Sequence, residues 1–243
     1  MITIRKKRLF FTLTENWFGY KFKWSDLFLP VCYRALRNDV NYQLYFGVKK
    51  YTKTVVLPID KPIEEIHANF NKTLKAHIRK GEAANVQCYT NNDIAGFAAF
   101  YNPFAILKGL LPLDVNTIHE YAIAEWKSSY AVMNGEILVA HSYLEDKESG
   151  IVRLMESGSM RLHDEFDSKT VAHANKVLHY YDIKYFKERG LQIYDFGGWD
   201  DLPGLLEFKE SFGAYPINIY NYFSYAYNIK ENLKGIAKYI KKK

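Results

Sequence analysis

The chain has 243 residues, and its formal net charge of +6 resides mainly in six lysines that follow Ile229. The nearly neutral remainder argues against a protein that binds nucleic acid over its whole surface. No apolar run reaches the ~18 residues of a transmembrane helix, no signal-peptide pattern follows Met1, and Cys32 and Cys88 lack metal or redox spacing, so we expect a cytoplasmic protein with reduced thiols.

The first quarter of the chain alternates apolar and polar residues between positions 8 and 57. This alternation predicts several short strands joined by turns, namely LFFTLT, YKFKW, NYQLYFGV and TKTVVL. A helix is then expected from Pro62, with Asp60 as its N-cap, to about Lys80, and Gly81 is expected to end it.

The middle of the chain predicts a strand, a helix and an antiparallel meander. The strand covers 85–89, and the helix after it is capped by Asn92 or Asp93 and broken near Pro103. Asn134-Gly135 separates two alternating segments and is typical of a two-residue hairpin turn, because both positions favour positive φ. With a third strand at 151–157, these segments form the meander.

The last third predicts a helix at 168–189 that ends at Gly190, a strand at 191–196, a helix at 202–211 and a strand at 217–225. The order of elements indicates an α/β (α+β) fold with a mixed, mostly antiparallel sheet flanked by helices. We expect one domain over residues 1–228, with N-terminal strands at 1–58 and a core at 59–228.

Three segments carry a resemblance to a known family. They are Ala174-Asn175 with Leu178-His179, then Tyr194-Asp195-Phe196-Gly197-Gly198, then Phe208-Lys209 with Phe212-Gly213. Together with the meander, they resemble the GNAT-fold acyltransferases. More specifically, they resemble a Fem-like group, related to the peptidoglycan aminoacyl transferases, that is associated with surface-polysaccharide biosynthesis. The match is strongest over residues 120–215.

Two features of that family are missing from the chain. GNAT enzymes that bind acyl-CoA carry a glycine-rich loop that cradles the pyrophosphate at a helix N-terminus, and 157–174 contains no such loop. The long helical arm of tRNA-dependent Fem enzymes also has no counterpart. The resemblance therefore implies a transferase without deciding between acyl-CoA and aminoacyl-tRNA as the donor.

Four residues are the catalytic candidates: Asp195, Lys209, His141 and His179. Asp195 lies at a strand end before two glycines, where it could accept a proton, orient the substrate or cap the turn. Lys209 follows Phe208 on a short helix, where the family resemblance implies a place beside the reacting groups. Either histidine could act as general base, and a hydrogen-bonded structural role is the alternative for both.

Seven further residues are candidates for substrate binding. Asn175 shares a helix face with His179, and Tyr143 shares a strand face with His141. The full set is Asn175, Tyr143, Ser157, Ser159, Gly197, Gly198 and Arg79. Amides near 156–159 could stabilise an oxyanion, as the GNAT resemblance implies. No His/Cys cluster has metal spacing, so we expect no metal.

Residues 229–243 place Ile229, Leu233, Ile236 and Ile240 at helical spacing among lysines. This pattern predicts a basic amphipathic C-terminal helix. The helix could contact an anionic membrane surface, which would make the protein membrane-peripheral, or it could be a solvated terminus.

The leading hypothesis is transfer of an acyl group, preferably acetyl from acetyl-CoA or another acyl-CoA, to the amine of a nucleotide-linked amino sugar. Attack would be direct, since no residue has the features of a covalent nucleophile. One alternative is a Fem-like transferase that uses aminoacyl-tRNA, the only nucleic acid expected as a partner. The other is a non-catalytic GNAT-like scaffold at a membrane.

Overall fold

A computed structural model describes residues 1–8, 11–21, 23–39, 48–114, 125–162, 166–199 and 202–229. These residues form two compact units. The first holds the described residues of 1–53 and 217–229, and the second holds those of 54–114 and 125–216. The expectation of one domain over 1–228 stays a prediction.

The elements, in chain order, are the strands β1 (Ile2–Arg8), β2 (Phe11–Trp17), β3 (Val31–Leu36), β4 (Val48–Pro58), β5 (Gln87–Asn91), β6 (Trp126–Met133), β7 (Glu136–Asp146), β8 (Ile151–Ser159), β9 (Ile193–Asp195) and β10 (Tyr215–Phe223), and the helices α1 (Ile63–Ala68), α2 (Lys72–Ala83), α3 (Ile94–Leu107), α4 (Ser168–Glu188) and α5 (Pro203–Glu210). Short 3-10 helices cover Trp24–Leu27 and Met160–Leu162.

In the first unit, β1 and β2 form an antiparallel hairpin, β2 pairs with β3 in parallel, and β3 pairs with β10 antiparallel. Buried side chains of β3 and β10, including Tyr33 and Tyr222, form its core. The predicted strand YKFKW is wrong. Its end is a 3-10 turn instead, because the Asp26 carboxylate accepts the Lys23 amide and closes the chain on itself.

In the second unit, the strands follow the order β4, β9, β8, β7, β6 and β5. Only the β8–β9 pair is parallel there, and the other pairs are antiparallel. The mixed, mostly antiparallel sheet expected from the sequence is therefore confirmed.

Helices α3 and α4 lie on opposite faces of this sheet. Tyr101 of α3 bonds to Glu156 of β8, which lies opposite Ser142 of β7 and therefore on the same face of the sheet. Asn175 of α4 bonds instead to His141 of β7. Successive residues of a strand point to opposite faces, so His141 and Ser142 place the two helices on different sides. The main core fills the α4 face, where α1, α2, α4 and β4 contribute aliphatic and aromatic side chains.

The helix predicted from Pro62 to Lys80 is two helices, with Asn71 capping the second through its bond from the Leu74 amide. Gly81 lies inside α2 and does not end it. Pro103 does not break α3, which continues to Leu107. Burial of one face of α3 supplies more stability than the proline's missing amide removes.

Several local predictions are confirmed. Asp93 caps α3 through a bond from the Gly96 amide. Asn134 and Gly135 have φ values of 53° and 84°, as the hairpin turn requires, and Gly190 follows α4 with a φ of 83°. The helix predicted for 229–243 lies outside the described residues, apart from Ile229. Within the described residues, no helix combines the length and apolar character needed to cross a membrane.

Candidate active site

Strand β9 pairs with β8 over its whole length, but it covers only the beginning of β8. Residues Ile151–Arg153 pair with Ile193–Asp195, whereas β8 continues to Ser159. The residue after β9 also bonds to β4: the Phe196 amide donates to the Val55 carbonyl at 2.8 Å. Beyond Arg153 the two chain segments no longer pair as strands, and this end of their pairing is called here the separation of β8 and β9. A bulge in β8, opposite the step from Ser142 to Tyr143, lies in the separated part.

The turn Asp195-Phe196-Gly197-Gly198, called here the DFGG turn, closes this separation at one end. Buried Asp195 accepts the Gly197 amide at 2.8 Å and an Arg153 guanidinium N–H at 2.6 Å, and the Thr54 hydroxyl also bonds to it. Gly197 has a φ of +74°, and a Cβ there would meet the Leu154 carbonyl of β8 at 3.4 Å. Asp195 thus caps the turn and ties it to β8, the structural alternative considered from the sequence.

Lys209 is buried in α5 and places its ammonium group on the DFGG turn. Its Nζ donates to the carbonyl oxygens of Phe196 at 2.8 Å and Gly197 at 3.0 Å, and also to that of Gly198. The positive charge therefore lies beside the place where β8 and β9 separate. Such a charge can stabilise an oxyanion that develops near the turn.

A second group of polar side chains is buried between the sheet and α4. Asp182 Oδ2 accepts a bond from the Tyr143 hydroxyl at 2.6 Å and lies 2.9 Å from His141 Nδ1. The Tyr143 and Tyr194 hydroxyls are 2.5 Å apart, and Tyr194 lies 2.9 Å from His179 Nδ1. All five side chains are buried. They form one hydrogen-bonded chain, called here the Asp182 network.

The donors of the Asp182 network follow from its geometry. Tyr143 gives its only proton to Asp182, so Tyr194 must donate to Tyr143. Tyr194 then has no proton left for His179, and His179 must donate from Nδ1. Burial lowers the pKa of His179 well below its ordinary value, with a further contribution from the nearby charge of His141. His179 is therefore a neutral ring whose lone pair is on Nε2.

Burial also raises the pKa values of Tyr143 and Tyr194 well above the ordinary value, and the negative charge of Asp182 adds to this shift. Both phenols therefore stay protonated and can act only as hydrogen-bond relays.

His141 connects the Asp182 network to a more accessible side chain. Its Nε2 lies 2.9 Å from Oδ1 of Asn175, which is half-buried. In this amide orientation both His141 nitrogens donate, Nδ1 to Asp182 and Nε2 to Asn175. Turning the Asn175 amide by 180° would present its N–H₂ group, from which Nε2 would accept a hydrogen bond.

His141, His179 and Asp182 could also hold a metal ion, since one ligand atom from each lies within 4.8 Å of the others. His141 Nδ1, His179 Nδ1 and Asp182 Oδ2 already bond to one another or to tyrosine hydroxyls, and a metal bound through these atoms would have to displace those bonds. The expectation of no metal stays a prediction.

The structure gathers most of the residues predicted for the site. His141, His179, Asn175 and Tyr143 meet in the Asp182 network, and Lys209 and Asp195 meet at the DFGG turn. Half-buried Ser157 lies opposite His141 across the strands, and Ser159 lies opposite Val139. Arg79 is exposed on α2, and no contact among the described residues connects it with either group.

Three important residues were missed from the sequence. Asp182 lies seven residues after Asn175 and three after His179, so helical spacing could have placed it on their face. Tyr194 lies in the segment that carries the family resemblance, but no pattern in the sequence distinguishes it as a site residue. Arg153 had no local signal, because its partner Asp195 becomes its neighbour only through the parallel register of β8 and β9.

The N-terminus of α4 is occupied by a carboxylate. Asp167 caps the helix by accepting the Thr170 amide at 2.9 Å and the Thr170 hydroxyl at 2.8 Å. These bonds lower the pKa of Asp167, so it carries a negative charge at neutral pH. A phosphate bound at this end of the helix would be repelled by the Asp167 carboxylate.

The fold has relatives among solved structures. A crystal structure of FemX superposes with a TM-score of 0.67 over 94% of this chain and 85% of that one, at 13% identity. The chain shares the fold of FemX. A fold of the Fem-like kind was expected from the sequence, and the association with polysaccharide biosynthesis stays a prediction.

Two further structures share the fold. A C-terminal domain named as belonging to a lysylphosphatidylglycerol synthetase from Agrobacterium fabrum gives a TM-score of 0.59 at 8% identity, over 96% of this chain and 83% of that one. L-PGS from Bacillus licheniformis gives 0.59 at 10% identity, over 91% and 80%. No protein-family model and no curated protein sequence matches the chain.

Proposed function

We propose that this protein transfers an acyl or aminoacyl group from an activated donor to an amine. The observation that carries the proposal is the buried Lys209 ammonium on the DFGG turn, beside the separation of β8 and β9. A carbonyl bound there would place its oxygen near a positive charge and near the amides of the later part of β8. Both stabilise the negative charge of a tetrahedral intermediate.

In the proposed reaction the acceptor amine attacks the donor carbonyl directly. A carbon–nitrogen bond forms and the ammonium of Lys209 stabilises the oxyanion. His179 Nε2, which carries a lone pair, accepts the proton that the amine loses. The intermediate then collapses with cleavage of the donor's ester or thioester bond, and the proton passes to the leaving group.

Two donors fit this reaction, an acyl-CoA and an aminoacyl-tRNA. The sequence favours acetyl from acetyl-CoA and an amino-sugar acceptor destined for a surface polysaccharide. The charge on Asp167 at the start of α4 favours an aminoacyl-tRNA donor instead, because a CoA pyrophosphate would not be attracted to that helix end. One of the similar folds is named for making lysylphosphatidylglycerol, which also fits an aminoacyl donor.

Titration calorimetry with acetyl-CoA and with free CoA separates the two donors. Micromolar binding of both would support the CoA donor. Absence of binding, together with RNase-sensitive transfer and salt-dependent tRNA binding, would support aminoacyl-tRNA. If no donor is bound or consumed, the transferase proposal is wrong and the non-catalytic scaffold becomes the better account.

Substitution tests the site itself. We expect Lys209→Met to lower kcat at least tenfold, because the oxyanion loses its charge partner, and Lys209→Arg to retain part of the activity. Lys187→Met is the matched control, since Lys187 also donates to a backbone carbonyl, that of Ile59.

We expect His179→Asn to lower kcat and to remove the acidic limb of the pH–rate profile, because Asn keeps the donor to Tyr194 but lacks the Nε2 base. Circular dichroism verifies that the variants fold. If folded Lys209→Met and His179→Asn both keep full activity, this site assignment fails.

A further inference from the structure

The first unit exposes three large apolar side chains on one short turn. Residues 24–29, called here the aromatic turn, leave Trp24 69%, Phe28 82% and Leu29 50% exposed. Single exposed apolar residues are common, but a cluster of this kind marks a surface that contacts something other than water.

The aromatic turn is held rigidly in this exposed arrangement. Asp26 is buried beneath it and accepts the Lys23 amide at 3.0 Å and the Tyr33 hydroxyl at 2.8 Å. The amides of Phe28 and Leu29 both donate to the Ser25 carbonyl, at 3.1 and 3.2 Å. The exposure of the apolar side chains therefore belongs to the folded structure.

A second apolar element starts beside the aromatic turn. Ser224 donates its hydroxyl to the Leu29 carbonyl at 2.7 Å and its amide to the Val31 carbonyl at 3.0 Å. Residues 225–229, which follow directly, are helical, and Tyr225 and Ile229 are each 61% exposed. Both elements thus present apolar side chains at the same end of the first unit.

The charges near this end have one predominant sign. Lys21 and Lys23 are exposed next to the aromatic turn, while its only acid, Asp26, is directed inward. In the sequence, the 14 residues that follow Ile229 contain six lysines and one glutamate. Exposed apolar and aromatic side chains with lysines next to them suit an anionic lipid surface, which takes up the rings and attracts the ammonium groups.

We propose that this end of the first unit docks on an anionic lipid bilayer, with Trp24, Phe28 and Leu29 inserted among the lipid headgroups. The proposal adds a preformed insertion site within the folded unit to the basic tail recognised from the sequence. It does not depend on the transferase reaction.

Vesicle binding tests the docking. The full chain should sediment with phosphatidylcholine vesicles that contain about one third phosphatidylglycerol, and only weakly with phosphatidylcholine alone. A Trp24→Ser, Phe28→Ser, Leu29→Ser variant should bind the anionic vesicles at least tenfold more weakly, with unchanged circular dichroism. The control is Leu111→Ser, since Leu111 is 81% exposed in the second unit and should leave binding intact.

A depth measurement separates insertion from simple attraction to the tail. Brominated lipids should quench the fluorescence of the bound protein, and Trp24→Phe should remove most of this quenching while Trp199→Phe keeps it. The proposal is overturned if the triple variant binds as the full chain does, or if Trp24 is not quenched. It is also overturned if the full chain self-associates through this surface without binding vesicles, which would make the occupant a second copy.

Discussion

Both carboxylate oxygens of Asp195 accept hydrogen bonds from other groups of the protein. Its two oxygens receive the Gly197 amide, the Arg153 guanidinium and the Thr54 hydroxyl. These bonds fix the DFGG turn, on which the Lys209 ammonium rests. The effect of Asp195 on the reaction would therefore come through the position of that turn, which makes it a positioning residue in the proposed mechanism.

We expect Asp195→Asn to lower the free energy of unfolding by about 2–4 kcal/mol, because the amide leaves the partly buried Arg153 charge without its partner. Urea unfolding measures the change. The matched control is Asp167→Asn at the start of α4, which should cost much less stability, since Asn caps helices as well as Asp. Equal losses in both variants would contradict the role given to the Arg153 pair.

In the Asp182 network the donors form a chain that ends at one carboxylate, whereas the three donors to Asp195 each reach that carboxylate directly. Each tyrosine hydroxyl donates its hydrogen bond toward Asp182, which leaves His179 with a defined tautomer. Such a hydrogen-bonded chain fixes the orientation of its members in the low-dielectric interior, although Asp182 Oδ1 has no partner among the described residues. The His179 ring also packs against Phe196, Phe208 and Phe212, which connects the network to the DFGG turn and to α5.

At the scale of elements, the approach of α2 to α4 depends on Gly81. A Cβ at this position would lie 2.5 Å from Val177 Cγ2 of α4. Glycine inside a helix is unfavourable by roughly 1 kcal/mol relative to alanine. The chain accepts this cost because the missing side chain lets the two helices pack closely.

We expect Gly81→Ala to destabilise the protein by about 1–3 kcal/mol despite the better helix propensity, because overpacking outweighs it. In a Gly81→Ala, Val177→Ala double variant the loss should be smaller than the sum of the two single losses. Gly204→Ala in α5 is the control. It has open space around the added methyl and should be neutral or stabilising. Thermal unfolding of the four variants decides the matter, and strict additivity at Gly81 and Val177 would refute the contact.

At the scale of the molecule, four histidines make folding sensitive to mild acid. Burial is the first cause that lowers the pKa values of His67, His77, His173 and His179 below the ordinary value of 6.5. Below pH 6.5 the unfolded chain binds protons that the folded chain does not. Stability is therefore complete above this pH and falls as the pH drops toward the folded pKa values.

We expect the urea midpoint to be lower at pH 5.5 than at pH 7.5, since each proton bound only by the unfolded chain changes the free energy of unfolding by about 1.4 kcal/mol per pH unit. His179→Asn should be less stable at pH 7.5 but should show a smaller fall between the two pH values. An unchanged pH dependence in this variant would mean that His179 titrates normally in the folded protein.

The sequence by itself determined features that depend on neighbours a few residues apart. The Asn134-Gly135 hairpin, the Asp93 cap and the Gly190 terminus follow from local backbone preferences. Helical and strand periodicity predicted the meander, the long helix α4 and the mixed sheet, and the resemblance carried by Asn175, His179 and Lys209 predicted residues that the structure brings into the two parts of the site.

Only the tertiary structure decided the features that depend on residues far apart in the chain. The parallel register of β8 and β9 places Arg153 beside Asp195, and the packing of α4 on β7 and β9 assembles the Asp182 network. Parallel pairing requires no tight turn and leaves no local pattern in the sequence. The close approach of α4 at Gly81 also depends on a residue distant in the sequence, Val177. A glycine that ends a helix and a glycine that lets another helix pack closely cannot be distinguished from the sequence alone.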